Sequence, residues 1–144
     1  MSHFVEVKTE YKDQKCLALA LKEIFGNVEV CEQPKALLGW HGDDRSKLVS
    51  DNPNYAPACH LIVRRKFIGS ASNDIGFRHS GDGKWSAYIS AFDKTDNSVR
   101  IGQIAQQYAK QVTIKTAKIK GYSVQEEKLK DGQVKLTLSK WGQS

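Results

Sequence analysis

Five residues of the metal-ligating or nucleophilic kind, His3, Cys31, His41, Cys59 and His60, are scattered through the chain. In principle they could gather around one ion or one reactive thiol. Zinc sites usually declare themselves by paired short spacings such as Cys-x-x-Cys, which hold two ligands on one turn, and no such pair occurs. Cys59 and His60 are adjacent, and neighbours in a strand point to opposite faces, so this pair is not expected to share a site. The sequence therefore predicts a chain with no metal site and no cofactor of its own. A Cys-His nucleophile needs an imidazole beside the thiol in space. Cys16 and Cys31 instead lie in amphipathic stretches, where a thiol serves as a small apolar core group. Acidic residues mostly stand beside basic ones, as in Asp43-Asp44-Arg45 and Glu126-Glu127-Lys128, the pattern of solvated turns, and no catalytic residue is assigned. Gly81-Asp82-Gly83 lacks the strand-loop-helix setting and the Gly-Lys-Ser/Thr ending of a phosphate loop. It reads as a hairpin turn, since glycine admits positive φ cheaply.

Clustered basic residues carry the stronger signal. Arg64, Arg65 and Lys66 end one strand, and Lys110, Lys115, Lys118 and Lys120 decorate a long helix. Lys128, Lys130, Lys135 and Lys140 mark the final hairpin. Lys115 and Lys118 are three apart and can share a helix face. Arg64, Arg65, Lys66, Lys115 and Lys118 are thus the candidate partner-binding residues. Lysines at sheet edges also keep strands from pairing with other chains, and charge also serves solubility. Nucleic acid would need aromatic platforms interleaved with this charge. Phe67, Phe77, Trp85, Tyr88 and Phe92 are unevenly spaced and fit a core as readily. A separate arrangement is a pocket between the two halves of the chain, near His3, His41, Tyr55 and Arg78.

The elements that would position these groups follow from periodicity. Phe4 to Lys8 alternates as a strand, and Asp13 offers a helix N-cap. Leu17, Leu21, Ile24 and Phe25 recur at helical spacing, and Gly26 can supply a left-handed stop. Val28 and Val30 form a strand, with Ala36 to Trp40 as its expected hairpin partner across Gln33-Pro34-Lys35. Gly42 to Pro57 is irregular, and a stretch of that length is often functional or mobile. Leu61 to Val63 forms a central strand, and Gly76-Phe77-Arg78 leads through Ser80 to Gly83 into a strand from Trp85 to Phe92. Ile101, Ile104, Ala105, Tyr108, Val112 and Ile119 line one face of a helix over roughly Val99 to Lys120. Val124 and Val134, Leu136 and Leu138 pair across Asp131-Gly132, a strong hairpin signal.

Each half then reads as strand, helix, strand, strand, and each closes on a tryptophan, Trp40 and Trp141. The prediction is an α+β fold: a mostly antiparallel sheet with two helices on one face, built from two pseudo-repeated βαββ halves. Its expected core is Leu17, Leu21, Ile24, Leu61, Val63, Ile101, Ile104, Tyr108, Leu136 and Leu138. At 144 residues the chain suits one domain, 1–144, able to bury a core without staples. Three cysteines without close spacing suggest a reducing compartment. No apolar run is long enough to span a membrane and the start lacks a secretory pattern, so an internal protein is expected. A net charge of +6 and a pI near 9.2 favour an acidic protein, nucleic acid or anionic lipid as partner.

Three stretches carry a family resemblance. The start from Met1 to Thr9, the run Asp74-Ile75-Gly76-Phe77, and the tail from Ile101 to Trp141 resemble the family called hypothetical chloroplast reading frame thirty-five, of cyanobacteria, their phages and plastids. The tail match includes Gln107-Tyr108-Ala109, Glu126-Glu127, Asp131-Gly132 and Leu136 to Trp141. Gly42 to Ile68 fits poorly, and Ile89-Ser90-Ala91-Phe92 stands where many members have a tryptophan-rich stretch. The resemblance implies an accessory protein of cyanobacterial or phage-infected cytoplasm or of the plastid stroma. Family genes often lie near those for small ferredoxins and an ATPase of the AAA class, which implies an acidic, ferredoxin-like protein as partner. The chain lacks the clustered cysteines that would hold an iron–sulfur centre itself. The expected function is a small non-enzymatic accessory or adaptor protein docking an acidic partner through its basic surface. An enzyme or enzyme subunit with the inter-half pocket and a nucleic-acid-binding module are the alternatives.

Overall fold

The computed structural model describes residues 4–39, 41–69, 72–81, 83–90 and 94–140, with only the backbone described at Val5 and residues 94–99. Its elements run β1 (Phe4–Lys8), α1 (Gln14–Phe25), β2 (Glu29–Lys35), β3 (Cys59–Val63), β4 (Ile75–His79), β5 (Trp85–Ser90), α2 (Lys94–Ile119), β6 (Tyr122–Lys128) and β7 (Val134–Lys140). The first five strands form one antiparallel sheet in the order β1-β5-β4-β3-β2, while β6 and β7 form a separate hairpin. The fold is α+β, as the sequence predicts.

Local chemistry accounts for the helix ends. The Asp13 carboxylate accepts the Cys16 amide at 3.0 Å, and Gly26 at φ +82° donates its N–H to Lys22 O. α2 starts at Lys94, earlier than the sequence suggests. Thr95, Asp96, Asn97 and Ser98 favour helix starts over interiors, so pattern alone places the start after them.

Pairing aligns Leu61 with Phe77, Phe77 with Ala87, and Ala87 with Val7, which sets these side chains in one row across the sheet. Val63, Ile75, Trp85 and Ile89 extend that face, and Leu17 and Leu21 of α1 and Ile104 of α2 close over it. Both helices therefore cover one face. Burying a side chain such as Phe77 or Leu17 there contributes about 1.5–3 kcal/mol each. Ile24, Ile101 and Tyr108 pack at the margin. Tyr108 also ties the helices together, its hydroxyl accepting the Lys12 and Asp13 amides at 2.9 and 3.0 Å.

Leu136 and Leu138 are not part of this core. The hairpin lies against α2 with Lys110, 8% exposed, paired to Glu126 at 2.8 Å, and Leu138 stays 44% exposed. Nor does the βαββ repeat describe the topology. β1 and β2 flank opposite edges of the large sheet, whereas β6 and β7 pair only with each other. Trp40 and Trp141, the expected strand ends, lie outside the described residues.

In the expected hairpin partner from Ala36 to Trp40, the described residues 36–39 do not pair with Val28 to Val30. β2 continues through Gln33-Pro34-Lys35 with a register shift between Val30 and Lys35, and it pairs with β3 on both sides of the shift, Lys35 opposite Cys59. β2 is an edge strand, where a proline without an N–H is tolerated, so Pro34 does not force a turn. Leu37 instead drops onto the second face of the sheet, with Cys31, Ala56, Cys59 and Ile62. The approach is close. A Cβ on Gly76 would lie 2.6 Å from Cys59 Sγ and 2.6 Å from Leu37 Cδ2.

Candidate functional site

The basic residues meet different fates. Arg64 donates from Nε and Nη2 to the two Glu29 oxygens, both at 3.0 Å, and from Nη1 to Asp74 at 2.8 Å and Ala36 O at 3.0 Å. Asp74, 1% exposed, also accepts the Leu38 and Arg65 amides at 2.8 Å. Arg64 therefore holds the 36–38 segment and the β4 entry together. Arg65 is half-buried and Lys66 exposed, the latter 5.1 Å from the Phe67 ring centre. Lys115 pairs with Asp13, and Lys118 is exposed on α2. The Lys115 pair sits at the start of α1 and the Arg64 cluster beside β2, just past its end. α1 is roughly 18 Å long, so the five residues form two groups and not one patch.

Both ion pairs favour the ionised carboxylate. The Lys115 hydrogen bond, followed by the Cys16 amide, holds Asp13 below its ordinary 3.8, and the Arg64 hydrogen bond holds Glu29 below 4.5. A carboxylate with a depressed folded pKa contributes stability that is complete above its unfolded value and lost as pH falls through the folded one. Urea midpoints should therefore be higher at pH 6 than at pH 3, and Asp13→Asn should shrink that difference. Equal midpoints at the two pH values would contradict these pairings.

An apolar groove runs between the outer side of α1 and the edge strand β2. Ala18, Leu19, Val28 and Val30 line it, with Lys15 and Lys22 at its rim, and it encloses about 490 Å³. Leu19 is 52% exposed and Val30 58%. Leu17, Leu21, Ile24 and Phe25 form the stripe that helical spacing predicts for α1, and Leu19 lies outside it. The signal was present, because the run Leu17-Ala18-Leu19-Ala20-Leu21 is apolar beyond the width one buried stripe needs.

A second, more polar cleft of about 480 Å³ opens on the other side of the sheet, where β1, β4 and β5 meet the 50–57 loop. It brings together Tyr55 and Arg78 of the expected pocket, with Phe4, Glu6, Asp51 and Tyr88. His41 lies instead in an exposed turn closed by the Gly42 amide on Gly39 O, and His3 lies outside the described residues. Tyr88 donates its hydroxyl to Glu6 Oε2 at 2.7 Å, and burial together with that carboxylate pushes its pKa well above the ordinary tyrosine value. Arg78 Nη1 donates to Ala58 O at 2.7 Å. The loop wall is ordered: Asn52 Oδ1 accepts the Asn54 amide at 2.8 Å, and the Phe4 amide reaches Pro53 O at 3.1 Å. Arg45, 5% exposed, lies beneath it, paired with Asp43 at 3.0 Å and over the Phe4 ring.

The remaining candidates are structural. Cys59 packs in the second core, where burial pushes its thiol up to about 12, whereas His60 stacks on His79 at 4.0 Å beside Trp85. Cys16 and Cys31 are buried free thiols. Among the described residues no three His, Cys, Asp or Glu side chains gather as a metal would require. Phe77 and Trp85 are buried in the core, and Phe92 lies outside the described residues. No described helix is long and apolar enough to cross a membrane.

Neither the curated proteins nor the solved structures compared with the chain give a match. The profile of the family described as protein of unknown function (DUF1257) matches residues 20–137, from within α1 to within β7, and the chain belongs to that family.

Proposed function

We propose that the protein is a non-enzymatic accessory or adaptor protein that docks an acidic protein partner through its basic surface, with the α1–β2 groove as the seat of contact. The observation that carries this reading is the pair of large apolar side chains, Leu19 and Val30, more than half exposed between Lys15 and Lys22. An apolar centre inside a rim of one net charge is the anatomy of a docking patch. A partner segment that is acidic with apolar anchors complements it. The resemblance to hypothetical chloroplast reading frame thirty-five supports an oxygenic phototroph or its phage as the setting and a ferredoxin as the acidic partner.

Titration of a plant-type ferredoxin into the protein at low and high salt tests this. Binding should weaken as salt rises, since exposed charges are screened. Leu19→Asp and Lys22→Glu should each weaken it by about tenfold, roughly 1.4 kcal/mol. Both positions are exposed, so melting should stay within about 0.5 kcal/mol of the parent. Affinity that is unchanged in both variants removes the groove from the function. Arg64 is unsuited to this test, because reversing it breaks the Asp74 cluster.

A further inference from the structure

The docking reading leaves the polar cleft without a role, and its charges are arranged with a direction. On the sheet face, Glu6 of β1 stands opposite Tyr88 of β5, which stands opposite Gly76 of β4. Arg78 is two residues further along β4, on the same face and diagonal to Tyr88. Strands lie about 4.8 Å apart and rise about 3.3 Å per residue, so the backbones of Glu6 and Arg78, two strands across and two residues along, are separated by roughly 12 Å. Asp51, on the loop, also lines the cleft. Glu6 and Arg78 therefore set an anionic and a cationic group on either side of Tyr88, and Phe4 and Tyr55 add aromatic lining.

Each charged group has capacity left. Glu6 accepts from the Tyr88 hydroxyl on Oε2, which leaves Oε1 for a ligand donor. Arg78 gives Nη1 to the Ala58 carbonyl, and among the described residues it makes no ion pair. Its guanidinium carries further N–H donors, in a fork that matches a carboxylate. We infer that this cleft binds a small zwitterion of dipeptide size, its carboxylate on Arg78 and its ammonium on Glu6, with an apolar side chain against Tyr55 and Tyr88.

Size and polarity both favour this class. A cavity of about 480 Å³ falls within the range of small-molecule sites. A ligand of single charge would match only one of Glu6 and Arg78. In a lone amino acid, ammonium and carboxylate are separated by two bonds through one carbon, too short to serve both. A dipeptide spreads the charges across one more residue. The loop wall is tied to β1 through Phe4 and Pro53, so the cleft is formed before the ligand arrives.

Isothermal titration with Ala-Phe, N-acetyl-Ala-Phe, Ala-Phe amide and free phenylalanine tests the inference on the unmodified protein. Ala-Phe should bind, and blocking either end should weaken it about tenfold or more, the effect of losing one charge-assisted contact. Glu6→Gln should remove the penalty for N-acetylation, and Arg78→Gln the penalty for amidation. Arg78 also holds Ala58, so circular dichroism melting accompanies that variant. The blocked peptides keep the test valid if it fails to fold. No binding of Ala-Phe at about 10 mM, or equal binding of the blocked forms, overturns the inference. Tighter binding of free phenylalanine than of Ala-Phe overturns the dipeptide size. None of these outcomes depends on the α1–β2 groove, so this site and the docking surface fail or stand separately.

Discussion

Asp74→Ala should destabilise the protein by about 3 kcal/mol or more, and its melting temperature should fall by roughly 10 °C. Asp74 is 1% exposed and accepts three hydrogen bonds at 2.8 Å, from Arg64, the Leu38 amide and the Arg65 amide. Removing its carboxylate leaves two backbone donors without their acceptor and a half-buried guanidinium with only Glu29 as counter-charge. Breaking one partner of a buried pair costs more than the pair contributes net, because the surviving charge remains desolvated. Glu29 is itself partly solvated, at 38% side-chain exposure, so the loss belongs near the lower end of the range for buried pairs. Asn in place of Asp should not rescue, since its amide turns an N–H toward groups that are all donors. Urea unfolding of both variants checks this; a melting point within 2 °C of the parent for Asp74→Ala would be incompatible with the cluster as described.

Gly76→Ala should cost about 1–3 kcal/mol although it adds a single methyl group in a strand. The new Cβ would lie 2.6 Å from Cys59 Sγ and Leu37 Cδ2 and 2.8 Å from Leu37 Cδ1. Both neighbours are fully buried and have no free space in which to yield. Leu37→Ala alone should also destabilise, by about 2–5 kcal/mol, through the cavity it leaves. The double variant should be more stable than the sum of the two losses predicts, by 0.5 kcal/mol or more, because the methyl fills part of the space Leu37 vacates. Strict additivity in the double-mutant cycle would show that Leu37 does not press on Gly76.

These two positions also show why Asp-Ile-Gly-Phe belongs together. Ile75 and Phe77 face the helices, Gly76 admits Leu37 on the opposite face, and Asp74 anchors the strand entry to Arg64. The motif is a structural joint between the sheet and its loop layer.

What could be read from the chain alone were the features set by a few neighbouring residues. Asp13 and Gly26 bound α1, Asp131-Gly132 turns the last hairpin, and the apolar spacing of Leu17, Leu21 and Ile104 identifies the faces that meet the sheet. Caps, turns and periodicity act within a few residues, so they are legible without tertiary contacts. The α+β class followed from their order. Tertiary structure decided the partners. Pro34 signals a turn locally, but an edge strand with an irregular register tolerates its missing N–H, and β2 pairs with β3 again at Lys35. Leu136 and Leu138 alternate as a buried strand would, yet their hairpin lies against α2, outside the sheet core, and Leu138 stays exposed. Arg64 is a basic residue like its neighbours until Asp74 and Glu29, 10 and 35 residues away, claim it. Tyr55 and Arg78 were legible as pocket residues, whereas Glu6 and Tyr88 were not, because only the β1–β5–β4 order sets them beside Arg78. Charge and hydropathy state what a side chain can do; the sheet order, fixed by contacts far apart in the chain, determines what it meets.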